Sequence, residues 1–143
     1  MGLPAVLLRW FRRVFPRQPL GKRGEAAAAR FLKRRGYKIV SRGQQLRGGE
    51  LDLVAVDRDR TIVFVEVKTR ETDEAGHPAE AVDDAKQRRL SRLAVTFLKR
   101  HGLLEYPARF DVIAITWPSG KRSPQITHFQ NAFEARGQGG LYS

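Results

Sequence analysis

Two apolar runs stand almost back to back in the middle of this chain, LDLVAV at 51–56 and TIVFVEVK at 61–68, with only DRDR between them. No other feature constrains the fold as much. Both runs are dense in β-branched residues and too short and continuous for an amphipathic helix, and the polar tetrapeptide reads as a turn, so they predict an antiparallel hairpin. Strands this apolar are buried on both faces, which requires covering layers.

The flanking sequence supplies those layers. Between Gly21 and Gly36, GEAAAARFLKRR predicts a helix with Ala28, Phe31 and Leu32 at core spacing, Glu25 in its first turn and Gly36 as its stop. Residues 37–46 predict a weak strand. Glycines and a proline mark a loop at 70–78, after which Val82, Leu90, Leu93, Ala94, Phe97 and Leu98 keep the helical period as far as Gly102. RFDVIAIT at 109–116 predicts another strand, and ITHF at 126–129 a last short one beyond a turn at 118–124. The expected class is α/β, a mixed sheet in the order helix-β-β-β-helix-β flanked by helices. At 143 residues the chain fits one domain, expected over 21–135, with a basic arm at 1–20 and a tail at 136–143.

Charge and missing residue types narrow the function. Lysine plus arginine number 27 against 15 acidic residues, a net charge of +12 that draws polyanions, nucleic acid first. With no cysteine, thiolate catalysis and cysteine-ligated zinc are excluded, and His77, His101 and His128 lack ligand spacing, so any metal must sit mostly on oxygen. Arg9, Arg12, Arg13 and Arg17 interrupt the N-terminal apolar residues, so neither an integral membrane segment nor a signal peptide is expected, and the expected location is the cytoplasm. The arm itself could lie on an anionic membrane surface or on a phosphate backbone, or be a poorly ordered terminus.

Hydrolysis of a phosphodiester needs a divalent cation, an activated water and a positive group for the developing charge. Two carboxylates and a lysine can supply them. Glu66 and Lys68 are two apart on one strand and share a face with Ile62 and Phe64, so an apolar row turns charged at the strand end. Glu50 and Asp52 likewise share a face just after Gly48 and Gly49. Asp52 meets Glu66 and Lys68 if position 52 pairs with 66 and 50 with 68, a register that needs an odd loop or a bulge. An even loop would put Asp52 and Glu66 on opposite faces. Taken singly, E-x-K on a strand reads as a solvated cross-strand salt bridge, and it is the order and context of the pieces together that point to a nuclease-type site.

These segments together, GKRGEAAAARFL, GYKIVSRG, GGELDLVAVD, VFVEVKTR, HPAEAVDDAKQRRL, RFDVIAI and ITHFQNAF, resemble the PD-(D/E)XK superfamily of restriction endonucleases and archaeal Holliday-junction resolvases, and more closely the YraN-like family of bacterial proteins. The resemblance implies a divalent cation, Mg2+ or Mn2+, on Asp52 and Glu66 with Glu25 nearby, and Lys68 positioning or activating water. It departs from the superfamily at Leu51, where the name-giving proline would stand.

Around this centre, Lys86 falls on the apolar stripe of the second helix and is a candidate phosphate ligand with Arg89, as are Arg42 and Arg47 beside the glycines. Lys86 could equally be a snorkelling surface lysine, and Glu25 a carboxylate placed for the helix dipole. The expected function is a metal-dependent endonuclease on DNA, with branched repair or recombination intermediates as one substrate class. The alternatives are a non-catalytic nucleic-acid-binding module that retains the nuclease fold and an adaptor acting through residues 1–20. Resolving a junction or cutting a palindrome would require a homodimer with two symmetric sites.

Overall fold

The computed structural model describes residues 20–71, 82–118, 120 and 122–137. Helix α1 (Leu20–Arg34) leads into strands β1 (Lys38–Leu46), β2 (Gly49–Val56) and β3 (Ile62–Arg70), followed by helix α2 (Asp84–Arg100) and strands β4 (Ala108–Thr116) and β5 (Gln125–Phe133). The expected arm lies outside the described residues except for Leu20, as do most of the expected 70–78 loop and most of the C-terminal tail.

The five strands form one sheet in chain order. The central hairpin has the expected parity, with Leu53 opposite Val65 and Val56 opposite Ile62. Its connection is five residues, Asp57 to Thr61, an odd loop closed by the Asp57 N–H on the Thr61 carbonyl at 2.9 Å. Strand β3 then runs parallel to β4 across α2, while the other neighbours are antiparallel. β5 is longer than the expected 126–129. It continues past a register shift opposite Phe110–Val112 because Phe133 stacks on Phe110 at 4.7 Å between ring centroids and extends the core.

One helix covers each face. On the α1 side Ala27, Ala28, Ala29 and Leu32 pack with Leu53, Ala55, Val63, Val65, Ile113 and Ile115. Small residues let this helix lie close to the sheet: a Cβ on Gly24 would collide with Thr69 Oγ1. Gly36, at φ +92°, stops the helix as expected, with the Tyr37 N–H bonded to the Leu32 carbonyl. On the α2 side Leu90, Leu93, Ala94, Phe97 and Leu98 meet Leu51, Val54, Phe64, Phe110 and Val112. Asp83 caps α2 by accepting from the Lys86 N–H at 2.8 Å. Among the described residues no helix is long and apolar enough to cross a membrane.

A candidate metal centre where β2 leaves β3

The centre exists because the pleat of β2 breaks. Leu51 packs on the α2 side and Leu53 on the α1 side, although residues two apart on a regular strand share a face. The ladder with β3 accordingly stops at Leu53–Val65, short of the expected 52–66 and 50–68 pairs. Opposite the break, between the Arg42–Leu53 and Gln44–Leu51 pairs of β1, Gly43 takes φ +60°, open to glycine at little cost. At the gap Asp52 does the work of a backbone acceptor, its Oδ2 receiving the Val67 N–H at 2.9 Å.

This placement sets Asp52 between two groups of charge. On one side, oxygens of Glu25, Glu50 and Asp52 all lie within 4.8 Å of one another. Glu25 reaches them from the second turn of α1, not the first as expected, because the helix begins at Leu20, so the helix dipole does not account for its position. Glu50, recognised in the sequence only as a strand neighbour of Asp52, is the third carboxylate and accepts from Gln45 Nε2. On the other side Glu66, only 7% exposed, lies close enough to act on Asp52 and receives two ammonium groups on Oε1: Lys68 Nζ at 3.7 Å and Lys86 Nζ in direct contact.

Burial and like charge shape the titration here. Burial, then the negative Glu66, push Asp52 up to about 7 against the opposing Val67 N–H, with Glu25 adding to the rise. Burial and then Glu50 raise Glu25, while Arg42 and Lys22 pull it back. Burial and then the neighbouring Lys86 lower Lys68. For Lys86, burial acts downward but is outweighed by its bond to Glu66, and the net shift is upward. An all-oxygen set of carboxylates, in which burial and like charge raise Asp52 and Glu25, fits a hard divalent cation.

The phosphate-ligand candidates separate. Lys86 is turned inward onto Glu66 and is half-buried. Arg89, exposed on α2, lies against the β1–β2 turn, where a Cβ on Gly49 would stand 3.7 Å from its Cδ. Arg42 is exposed and close enough to act on Glu25, and Arg47 is exposed in the turn itself.

A second buried polar cluster went unread in the sequence. Asp111 is fully buried and accepts from Arg109 Nε at 3.0 Å and the Asn131 N–H at 2.9 Å, with His128 Nε2 at 2.7 Å from its other oxygen. Arg109 also donates to Asp57 at 3.0 Å and to the Tyr37 hydroxyl at 2.9 Å. The available signal was parity: Arg109 and Asp111 are charged residues on the strand face that continues as Ile113 and Ile115. Asp52, Glu66 and Asp111 line one cavity of about 10 Å³, roughly the room of one water.

Residues 24–115 match the model of the Uncharacterised protein family UPF0102. The chain belongs to that family. Its UPF0102 relatives include a protein of Rhodopirellula baltica, 46% identical over 125 residues covering 86% of this chain and 75% of that protein. A second, from Geobacter sulfurreducens, is 52% identical over 115 residues, 80% of this chain and 88% of the relative. Among solved structures, a repair endonuclease from Pyrococcus abyssi is similar at TM-score 0.41 and 24% identity, over 67% of this chain and 38% of that one. An EndoMS–dsDNA complex is similar at TM-score 0.41 and 20% identity, over 74% and 41%. The chain thus spans about two fifths of each of those solved chains.

Proposed function

We propose that this UPF0102 protein is a Mg2+- or Mn2+-dependent endonuclease that hydrolyses phosphodiester bonds in DNA, branched repair or recombination intermediates included. The observation that carries this reading is Asp52, hemmed in by Glu25, Glu50 and Glu66 with Lys68 alongside. Among the described residues the four carboxylates gathered here outnumber the two ammonium groups, Lys68 and Lys86, that act on Asp52, an excess poorly explained as structure and well explained as a ligand set.

Asp52 and Glu66 would hold the cation, with Glu25 beside it and Glu50 completing the shell. A bound divalent cation would polarise the phosphate and supply a water acidic enough to attack at neutral pH. Lys68 stays next to Glu66 and faces the charge that builds on the phosphate oxygens. Exposed Arg42, Arg47 and Arg89 would hold the flanking backbone, aided by the net +12 of the chain. A homodimer would bring two such sites to a two-stranded substrate.

The test incubates the full chain with duplex, single-stranded and branched DNA in Mg2+, Mn2+ or chelator, beside Asp52→Ala and Lys68→Ala. Metal-dependent scission should appear in the unmodified chain and vanish in both variants. Binding without scission would mean a DNA-binding module on a nuclease fold, and the enzymatic reading would be abandoned.

A further inference from the structure

Two ammonium groups converge on a single oxygen, Glu66 Oε1, and they are not equivalent. Lys68 belongs to the same strand as Glu66, two residues on, and stands back at 3.7 Å. Lys86 comes from the first turn of α2 and touches the oxygen. Both also act on the neighbouring Asp52, and of the two it is Lys86 that is in direct contact with Glu66. It also occupies the approach that a cation bound to Glu66 would need.

We propose that Lys86 is a metal-displaced phosphate ligand: a divalent cation on Glu66 competes with the Lys86 ammonium for Oε1, and the displaced ammonium binds a phosphate of the substrate. This rests on the reading of Asp52 and Glu66 as metal ligands. The stem of Lys86 is flexible and its side chain 22% exposed, enough to swing outward from an ion pair at the rim. One turn on along the same helix stands the exposed Arg89, which adds positive charge there. Lys68 has the same stem and a side chain 26% exposed, but the register of β3 against β4 keeps its backbone on the strand that carries Glu66, so it stays beside that carboxylate as counter-ion when Lys86 leaves. Charge makes the exchange favourable in both directions: a 2+ ion repels the ammonium, and a nearby phosphate attracts it. Metal and phosphate binding are then coupled through Lys86, and by reciprocity each tightens the other by the same factor.

The experiment titrates Mn2+ into the full chain calorimetrically, with and without a short duplex, and measures duplex affinity in Ca2+ and in chelator at matched ionic strength. In Lys86→Gln, whose amide can still bond Glu66, Mn2+ without DNA should bind about tenfold tighter because the competitor is gone. The same variant should lose most of the gain in duplex affinity produced by Ca2+ while keeping its affinity in chelator. Lys99→Gln, which removes an exposed lysine from the last turn of the same helix, should leave that gain in place. Unchanged or weaker Mn2+ binding by folded Lys86→Gln, or a full Ca2+ gain, overturns the proposal and leaves the metal centre standing. If Lys86→Gln fails to fold, Lys86→Arg decides: its guanidinium should grip Glu66 harder and weaken Mn2+ binding, and equal affinity overturns the proposal. Absence of Mn2+ binding by the unmodified chain removes both readings together.

Discussion

Asp52 and Asp111 line the same small cavity, and burial pushes the pKa of both upward, yet they end on opposite sides of the ordinary carboxylate value. Asp111 is held below it because His128, Arg109 and the Asn131 N–H together outweigh burial. Asp52 is driven up to about 7 because burial, Glu66 and Glu25 act against the Val67 N–H, the one backbone donor it has among the described residues. Burial alone therefore does not mark a functional carboxylate. The two differ in the balance of donors against neighbouring charge, which leaves Asp111 tied by its partners and supports the reading of Asp52 as a cation ligand.

The largest expected effect crosses the two. Asp52→Asn should lower metal-dependent turnover by about a thousandfold or more, the scale of removing one preorganised electrostatic contribution or more. Asp111→Asn should leave turnover per folded molecule near that of the unmodified chain. Single-turnover assays, scaled to the folded fraction by circular dichroism, check this. Equal losses in both variants would erase the distinction.

Stability should show the reverse ordering. Asp111→Ala strands Arg109 and His128 in a buried site and should cost about 3–5 kcal/mol, the usual range for breaking a buried pair from one side. Urea denaturation reads it directly. A loss below about 1 kcal/mol would mean that the network contributes no more than surface pairs do.

How far these two sites were legible in the sequence follows from the range of the interactions. Strand parity is local, so Glu66 and Lys68 could be put on one face, and the odd loop at 57–61 brings Asp52 toward them as the register required. Position on a helical stripe is local too, and Lys86 does reach the centre, but onto Glu66 rather than outward. The break at Asp52 was hidden because it depends on Leu51 choosing the α2 core, a contact made more than thirty residues away. Glu50 joins Glu25 for the same reason. Asp111 went unread since His128 and Asn131 reach it only when β4 and β5 pair, and its neighbour Arg109 is held by Asp57 and Tyr37 from distant parts of the chain.

The pH dependence gives a smaller but sharper contrast. Asp52 takes up a proton near pH 7 in the folded chain and near 4 when unfolded, so the folded state binds more protons in between and stability falls as pH rises from about 4 to 7. Asp52→Asn keeps an acceptor for the Val67 N–H and removes that slope. In melts without added metal its stability relative to the unmodified chain should rise across this window, by up to about 4 kcal/mol, and level off above it. Asp111 has the opposite sign: its contribution is present above pH 4 and is lost as pH falls through its depressed folded value. A constant gap between Asp52→Asn and the unmodified chain from pH 4 to 8 would show that Asp52 is not held protonated.

The smallest expected effect lies in the backbone beside each aspartate. Gly43, opposite Asp52, has φ +60°, and Asn131, whose N–H bonds Asp111, has φ +50°. A Cβ on Gly43 would meet only Glu50 Oε1 at 3.5 Å and Glu25 Oε2 at 3.9 Å, ordinary contacts, so substitution there is a matter of conformation rather than space. Gly43→Ala should therefore cost about 1–2 kcal/mol, and Gly43→Asn less, because asparagine tolerates the left-handed region. Asn131→Gly keeps the N–H that Asp111 needs and should change stability by no more than about 0.5 kcal/mol, a residue already suited to that region giving way to another. Denaturant midpoints of the three variants rank these costs. Gly43→Ala as stable as the unmodified chain would show that the left-handed turn does not hold the broken pleat, and the position of Asp52 would then rest on the packing of Leu51 against α2 alone.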